Sequence, residues 1–175
     1  KRAIVEAGID VFSVNPNAGM SEVADASGVG RTTLYRHFPT REALIQGIVL
    51  ACLEEIDEAT EPAESLTGVA AIEATFELLI PVADRFRFLI AVWHIASEDS
   101  AVARLQDKQR RDMVALFKEA QRAKEIHSAL PAVWLCSLFE MTLSTAWELI
   151  ASGDLSADEA IDCAKRSFLD GCRAR

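Results

Sequence analysis

The sequence is short of several things, and each shortage removes a class of protein. Eight glycines and five prolines in 175 residues, with no repeat and no low-complexity tract, exclude a fibrous or disordered chain. No run of alternating β-branched residues stands out, so the expectation is helices rather than sheet. The four cysteines (Cys52, Cys136, Cys163 and Cys172) are far apart and form no CxxC pair. Neither a zinc knuckle nor a redox motif follows, and buried reduced thiols are expected. The three histidines (His37, His94 and His127) stand on separate predicted helices with no carboxylate or thiol at ligand spacing, so no metal and no cofactor is expected. A nucleophile–base–acid arrangement and a phosphate loop are also missing, which argues against an enzyme.

Long uninterrupted apolar runs are lacking too. The most apolar stretch, residues 130–150, is broken by Ser137, Glu140, Ser144 and Glu148. Carboxylates near mid-bilayer are costly, so this reads as a buried or dimer-facing helix and not as a membrane span. No segment has the layout of a signal peptide, and a cytoplasmic location is expected; the chain starts at Lys1 rather than Met, so native residues before it are expected as well. Positive charge is scarce, with a net charge of −9. That deficit is uneven: of 18 basic and 27 acidic side chains, five of each lie in residues 1–50. A neutral head on an acidic body can bind a polyanion locally, whereas binding over the whole surface is excluded.

What is present is half hydrophobic by composition and periodic like helices. Helices are expected at about residues 2–14, 20–27, 31–37, 41–60, 65–80, 82–97, 100–126, 130–151 and 157–172, an all-α chain of about nine helices. Asn15-Pro16-Asn17, Phe38-Pro39, Glu61-Pro62, Pro81 and Gly153 punctuate it. Thr40 is placed to cap the fourth helix. Ser156 with Glu159 three residues later has capping-box spacing for the last.

Residues 20–37 carry the functional signal. Ala24 is small enough for two helices to approach, Gly28 fits a turn four residues later, and Val23, Val29 and Leu34 supply an inner face. The outer face of the second helix then offers Arg31, Thr32, Thr33, Tyr35, Arg36 and His37. Arginine can fork onto guanine O6 and N7, threonine can touch a thymine methyl, and tyrosine, histidine and hydroxyls can donate to phosphate. By spacing alone, two short helices around a glycine also occur in many enzymes.

The run from Val29 through Gly30, Arg31, Thr32, Thr33, Leu34, Tyr35, Arg36, His37, Phe38, Pro39, Thr40, Arg41, Glu42 and Ala43 to Leu44 narrows the choice. It closely resembles the DNA-binding signature of the TetR family: a GV turn, a T-LY-HF recognition helix, then P-[ST]-[KR]-EAL opening the fourth helix. The resemblance covers about residues 1–45; beyond them the likeness is one of architecture. It implies a helix-turn-helix domain at 1–45, a helical ligand-binding and dimerisation domain at 46–175, and a homodimer on a palindromic double-stranded DNA operator. It also implies a repressor released by a small-molecule effector. Carried over, Tyr35 and His37 hold the phosphate backbone, Arg41 lies close to a phosphate, Arg31, Thr32 and Thr33 face the bases, and Phe38 is core. Gly19 stands where the family usually has Thr or Ser, leaving Asn17 as a substitute cap, and the 15–19 link is shorter than usual.

In the body, Phe76, Phe86, Ile90, Trp93, His94, Met113, Phe117, Trp134, Leu138 and Phe139 are candidates for a ligand cavity, and equally for ordinary core. The charged run at 107–112 reads most simply as a solvated face, with Arg110 and Arg111 available to an anion. By the resemblance, residues 130–172 form the dimer interface. Their apolar character nearly all round the eighth helix agrees with a four-helix bundle. A helical protein-interaction adaptor that keeps the head without binding DNA is the alternative.

Overall fold

The structure is a computed structural model that describes residues 1–82, 92 and 100–172. Among these residues there are eight α-helices and no strands: α1 (Arg2–Val14), α2 (Met20–Ser27), α3 (Arg31–His37), α4 (Arg41–Thr60), α5 (Gly68–Leu79), α6 (Ser100–Arg122), α7 (Ala132–Ser152) and α8 (Ala157–Cys172). Short 3₁₀ turns at Glu61–Ser65 and Ile80–Val82 flank α5. No helix among the described residues is long and apolar enough to cross a membrane. The helix expected at 82–97 lies outside the described residues except at its first residue and Val92.

Among the described residues two compact units are distinguished, the first containing Lys1–Glu55 and residues 100–106, the second Ile56–Val82 and residues 107–172.

In the first unit, α1, α2 and α4 bury Ile4, Phe12, Val23, Leu44 and Ile48 completely. Close approach is made possible by glycine: a Cβ on Gly8 of α1 would collide with the Ile48 side chain of α4. Gly47 does the same for Phe38, whose ring leaves no room for a Cβ there, the nearest carbon lying 2.5 Å from where it would sit. Phe38 is thereby core, as the resemblance implies, and it joins the end of α3 to α4.

The second unit is built on an aromatic cluster. Phe76 of α5, Phe117 of α6, Phe139 of α7 and Phe168 of α8 meet with ring centroids 4.3 to 6.2 Å apart, and none has more than trace exposure. Tilted and edge-on pairs of this kind satisfy the ring quadrupoles while burying large areas. The indole of Trp147 is anchored as well: its Nε1 donates to the Leu79 carbonyl at 3.0 Å, in the last turn of α5, where intrahelical donors run out.

Several boundaries differ from the periodicity. Helix α6 ends at Arg122 and not near 126, because Lys124 turns left-handed (φ 62°) and the Glu125 and Ile126 amides both donate back to the Ala120 carbonyl. That turn sends the Glu125 carboxylate to the amide of Val69 at 2.7 Å, capping the start of α5. Helix α5 begins at Gly68 rather than 65, since the preceding residues wind into the 3₁₀ turn that Pro62 opens. Helix α7 begins at Ala132 because Pro131 serves as its N-cap.

Candidate nucleic-acid interface

Helix α2 stops at Gly28, whose φ of 65° is left-handed and free of strain only for glycine. The Ser27 hydroxyl donates to the Ala24 carbonyl at 3.0 Å and accepts from the Val29 amide at 3.4 Å, fixing the turn. Gly30 then opens α3. Within α3 only Leu34 is fully buried. Arg31, Thr32, Tyr35, Arg36 and His37 are all exposed, Tyr35 to 48%, and Thr33 is half-buried. An exposed tyrosine between two arginines is poor use of a helix face unless something binds there. These residues surround α3 on the sides away from Leu34.

The entry to α2 departs from the expected substitute. Asn17 does not cap the helix; its amide donates to the Asn15 side chain at 3.1 Å. Gly19 is the N-cap, and the Glu22 carboxylate returns to the Gly19 amide at 2.7 Å. This is the half of a capping box that needs no hydroxyl. At α4, Thr40 Oγ1 accepts from the Ala43 amide at 3.0 Å, as its position suggested.

Arg41 has an internal occupation that the motif does not reveal. Its Nε donates to the Ala18 carbonyl at 2.9 Å, a terminal nitrogen donates to the Pro16 carbonyl, and the guanidinium lies 5.3 Å from the Phe12 ring centroid. The shortened 15–19 link is thus held to α4 by the residue expected beside a phosphate. Lys1 also comes near the interface, its ammonium 5.9 Å from the Phe38 ring centroid.

The residues weighed for a ligand cavity are dispersed. Phe76, Phe117 and Phe139 are packed in the aromatic core and leave no room between their rings. Trp134 and Leu138 lie on the outer face of α7, 60% and 38% exposed. Phe86, Ile90, Trp93 and His94 lie outside the described residues. Met113 does line a cleft, of about 530 Å³, within the second unit. Among the described residues its apolar wall includes Ile56, Leu66, Leu79 and Leu116 beside Met113. Its polar members are Asp57 and Thr60 of α4, Glu64, Thr75 of α5, and Lys108, Gln109 and Asp112 of α6.

The 107–112 run is therefore more than a solvated face. Gln109 Nε2 donates to Asp57 Oδ1 at 2.8 Å, and Lys108 lies 3.5 Å from Asp57 Oδ2 and 3.2 Å from Asp112. The bond to Asp112, and then the charge of Asp57, raise the Lys108 pKa above its ordinary value. Arg110 is committed to α7, donating to both Glu140 oxygens (3.1 and 2.9 Å) and to Ser137 at 3.0 Å. The signal for Asp57 was present in the sequence: it follows Leu53 and Ile56 at the edge of the apolar stripe of α4.

Comparison with known proteins agrees with this geometry. Residues 4–48 match the family model described as bacterial regulatory proteins, tetR family. The HTH-type transcriptional repressor LfrR of Mycolicibacterium smegmatis is 22% identical over 173 residues, covering 98% of this chain and 89% of that protein. A structure of LfrR from Mycobacterium smegmatis in complex with proflavine superposes with a TM-score of 0.80 at 23% identity, covering 97% of this chain and 94% of that one. The fatty acid degradation regulator FadR from Bacillus halodurans superposes at 0.82 with 14% identity, covering 99% and 96%. Residues 4–48 thus match the DNA-binding head of the tetR family of bacterial regulatory proteins, and over nearly its whole length the chain shares the fold of the TetR-like regulator LfrR.

Proposed function

We propose that this regulator is a repressor that binds a palindromic operator as a homodimer and leaves it when a small molecule occupies the cleft lined by α4, α5 and α6. The carrying observation is the face of α3, where Arg31, Thr32, Tyr35, Arg36 and His37 are exposed while Leu34 alone is buried. Residues near the start of a recognition helix reach deepest into the major groove, which assigns Arg31, Thr32 and the half-buried Thr33 to bases. Tyr35, Arg36 and His37 are assigned to phosphates.

Residues 1–45 serve as the DNA-binding domain and 46–175 as the ligand-binding and dimerisation domain in this reading. The boundary runs through α4, one continuous helix that carries Arg41 near its start and Asp57 near its end. An effector that prefers one conformation of the body shifts the population away from the operator-competent dimer, and one that binds both equally releases nothing. Proflavine, the molecule bound in the LfrR structure, is similar in scale to what a cleft of about 530 Å³ accepts. The reading includes no catalytic step and a cytoplasmic location.

Selection from a random duplex library, followed by anisotropy titration of the enriched site, tests the proposal. A near-palindromic site is expected, with affinity falling as salt rises, and Arg31→Ala should cost about 1–3 kcal/mol. If no sequence is enriched and Arg31→Ala changes nothing, the helical adaptor becomes the better account.

A further inference from the structure

Among the described residues, the cleft's polar lining is rich in acceptors and negative in charge. The Thr75 hydroxyl, buried at 5% exposure, has one proton and donates it to the Ala71 carbonyl at 2.8 Å. The Thr60 hydroxyl likewise donates to the Ile56 carbonyl at 2.9 Å. Both oxygens keep only acceptor capacity for a guest. Among the described lining residues, Asp57, Glu64 and Asp112 add three carboxylates, opposed there by the single ammonium of Lys108. That ammonium already serves two of the carboxylates, and Gln109 Nε2 serves the third oxygen of the set, Asp57 Oδ1. An anionic guest would thus meet negative charge and donors already engaged, whereas a cation can take over lone pairs that Lys108 now holds at the longer distance of 3.5 Å.

We infer that the ligand of this cleft is a cation or strong hydrogen-bond donor carried on an apolar, roughly tricyclic-sized body, with Asp57 as its principal partner, and not a carboxylate or acyl ester anion. The inference rests on the cleft being the effector site proposed above. Ile56, Leu66, Leu79 and Leu116 form the apolar wall, and Met113 supplies an adaptable thioether against a flat ring. Asp57 lies on α4, so a guest that replaces Lys108 and Gln109 there removes a direct tie between α4 and α6. Recognition and response then share one carboxylate.

The full chain should be titrated by calorimetry with three probes of one size: an aminoacridinium cation, neutral anthracene-9-methanol and anthracene-9-carboxylate. The cation is expected to bind at least about tenfold more tightly than the carboxylate. Asp57→Asn should weaken the cation about tenfold and leave the neutral probe within about twofold, while Lys108→Gln should tighten the cation severalfold. Because the two substitutions act in opposite directions, a general loss of folding cannot imitate the result. Met113→Trp, which fills the cleft, should weaken cation and neutral probe alike. Equal or tighter binding of the carboxylate, or cation binding indifferent to both Asp57→Asn and Met113→Trp, overturns the inference. Operator anisotropy in the same samples separates it from the reading beneath it. Asp57-dependent cation binding without DNA release keeps the ligand class and overturns the effector role; DNA release by the carboxylate alone does the reverse.

Discussion

The guanidinium of Arg41 donates to two carbonyls of the 15–19 link and stacks near Phe12, all inside the first unit. A phosphate contact and an internal brace predict different consequences of its loss. Charge-assisted bonds of a half-buried arginine contribute about 1.5–3 kcal/mol, so Arg41→Ala should lower unfolding stability by about 2 kcal/mol in urea titration. If bracing is its main work, the slope of log affinity against log salt for the enriched operator should stay the same. Removal of a phosphate contact would instead lower that slope by about one. Arg41→Lys should behave like the alanine variant, because an ammonium cannot reach both carbonyls with the same planar fork.

Cys136 makes a second argument at this scale. Its thiol is buried, donates to Glu140 at 3.5 Å, and has its pKa pushed from 9.0 to about 11, first by burial and then by the Glu140 charge. An acid whose pKa is higher when folded favours the unfolded state once the pH passes its unfolded value. The Cys136 contribution should be intact below pH 9.0 and decline toward about 11. The gap in melting temperature between the native chain and Cys136→Ala should therefore narrow across that window. With iodoacetamide at neutral pH, buried Cys52, Cys136 and Cys172 should be modified only on unfolding.

At the scale of elements, helix ends decide more than helix middles. Thr40→Ala removes the acceptor for the Ala43 amide and should cost about 1 kcal/mol, recovered by Thr40→Ser. Gly68→Ala should cost more. Gly68 has a φ of 59°, and a Cβ there would run into the Glu125 carboxylate that caps α5. Strain of about 1–2 kcal/mol is joined by displacement of the cap, measurable in the same urea titrations. The first of these ends was legible in the sequence and the second was not. Thr40 sits beside Pro39 and Glu42, a local pattern, as do Ser156 and Glu159, which form the box their spacing suggested. Glu125 reaches Val69 across 56 residues, and no local rule announces such a pair. The same division holds for the functional residues. The face of α3 is periodic and contiguous, so Arg31, Tyr35 and His37 could be placed from the chain alone. Periodicity marked Phe76, Phe117 and Met113 as inward-facing but could not tell which inward face closes on rings and which opens on a cleft. That depends on α5, α6, α7 and α8 meeting, and the Asp57–Gln109 bond depends in the same way on α4 meeting α6.

At the scale of the molecule, the outer face of α7 needs an explanation that one chain does not supply. Trp134, Leu138 and Met141 recur at helical spacing and are 60%, 38% and 63% exposed, with Val133 beside them. The opposite face of α7 buries Leu135, Phe139, Leu143 and Ala146, which is why the sequence of this helix is apolar nearly all round. A contiguous stripe of large apolar side chains on the outside of a helical unit marks a surface that is normally covered. Next to it α8 presents Cys163 and Ser167, small side chains that let another helix approach, and together they line one groove. In the homodimer proposed above, a second copy related by a twofold axis would set stripe against stripe and complete a four-helix bundle. Met141→Glu puts a carboxylate into the middle of that contact and, by repetition, into its partner's. The native chain should scatter light as a dimer at micromolar concentration and the variant as a monomer, with unchanged helical content by circular dichroism. Operator affinity should then fall far more than the loss of one base contact explains, although every residue of α3 is intact, because the second head no longer binds as part of the same molecule. A variant that remains dimeric and keeps its operator affinity would place the interface elsewhere and leave this stripe to another partner.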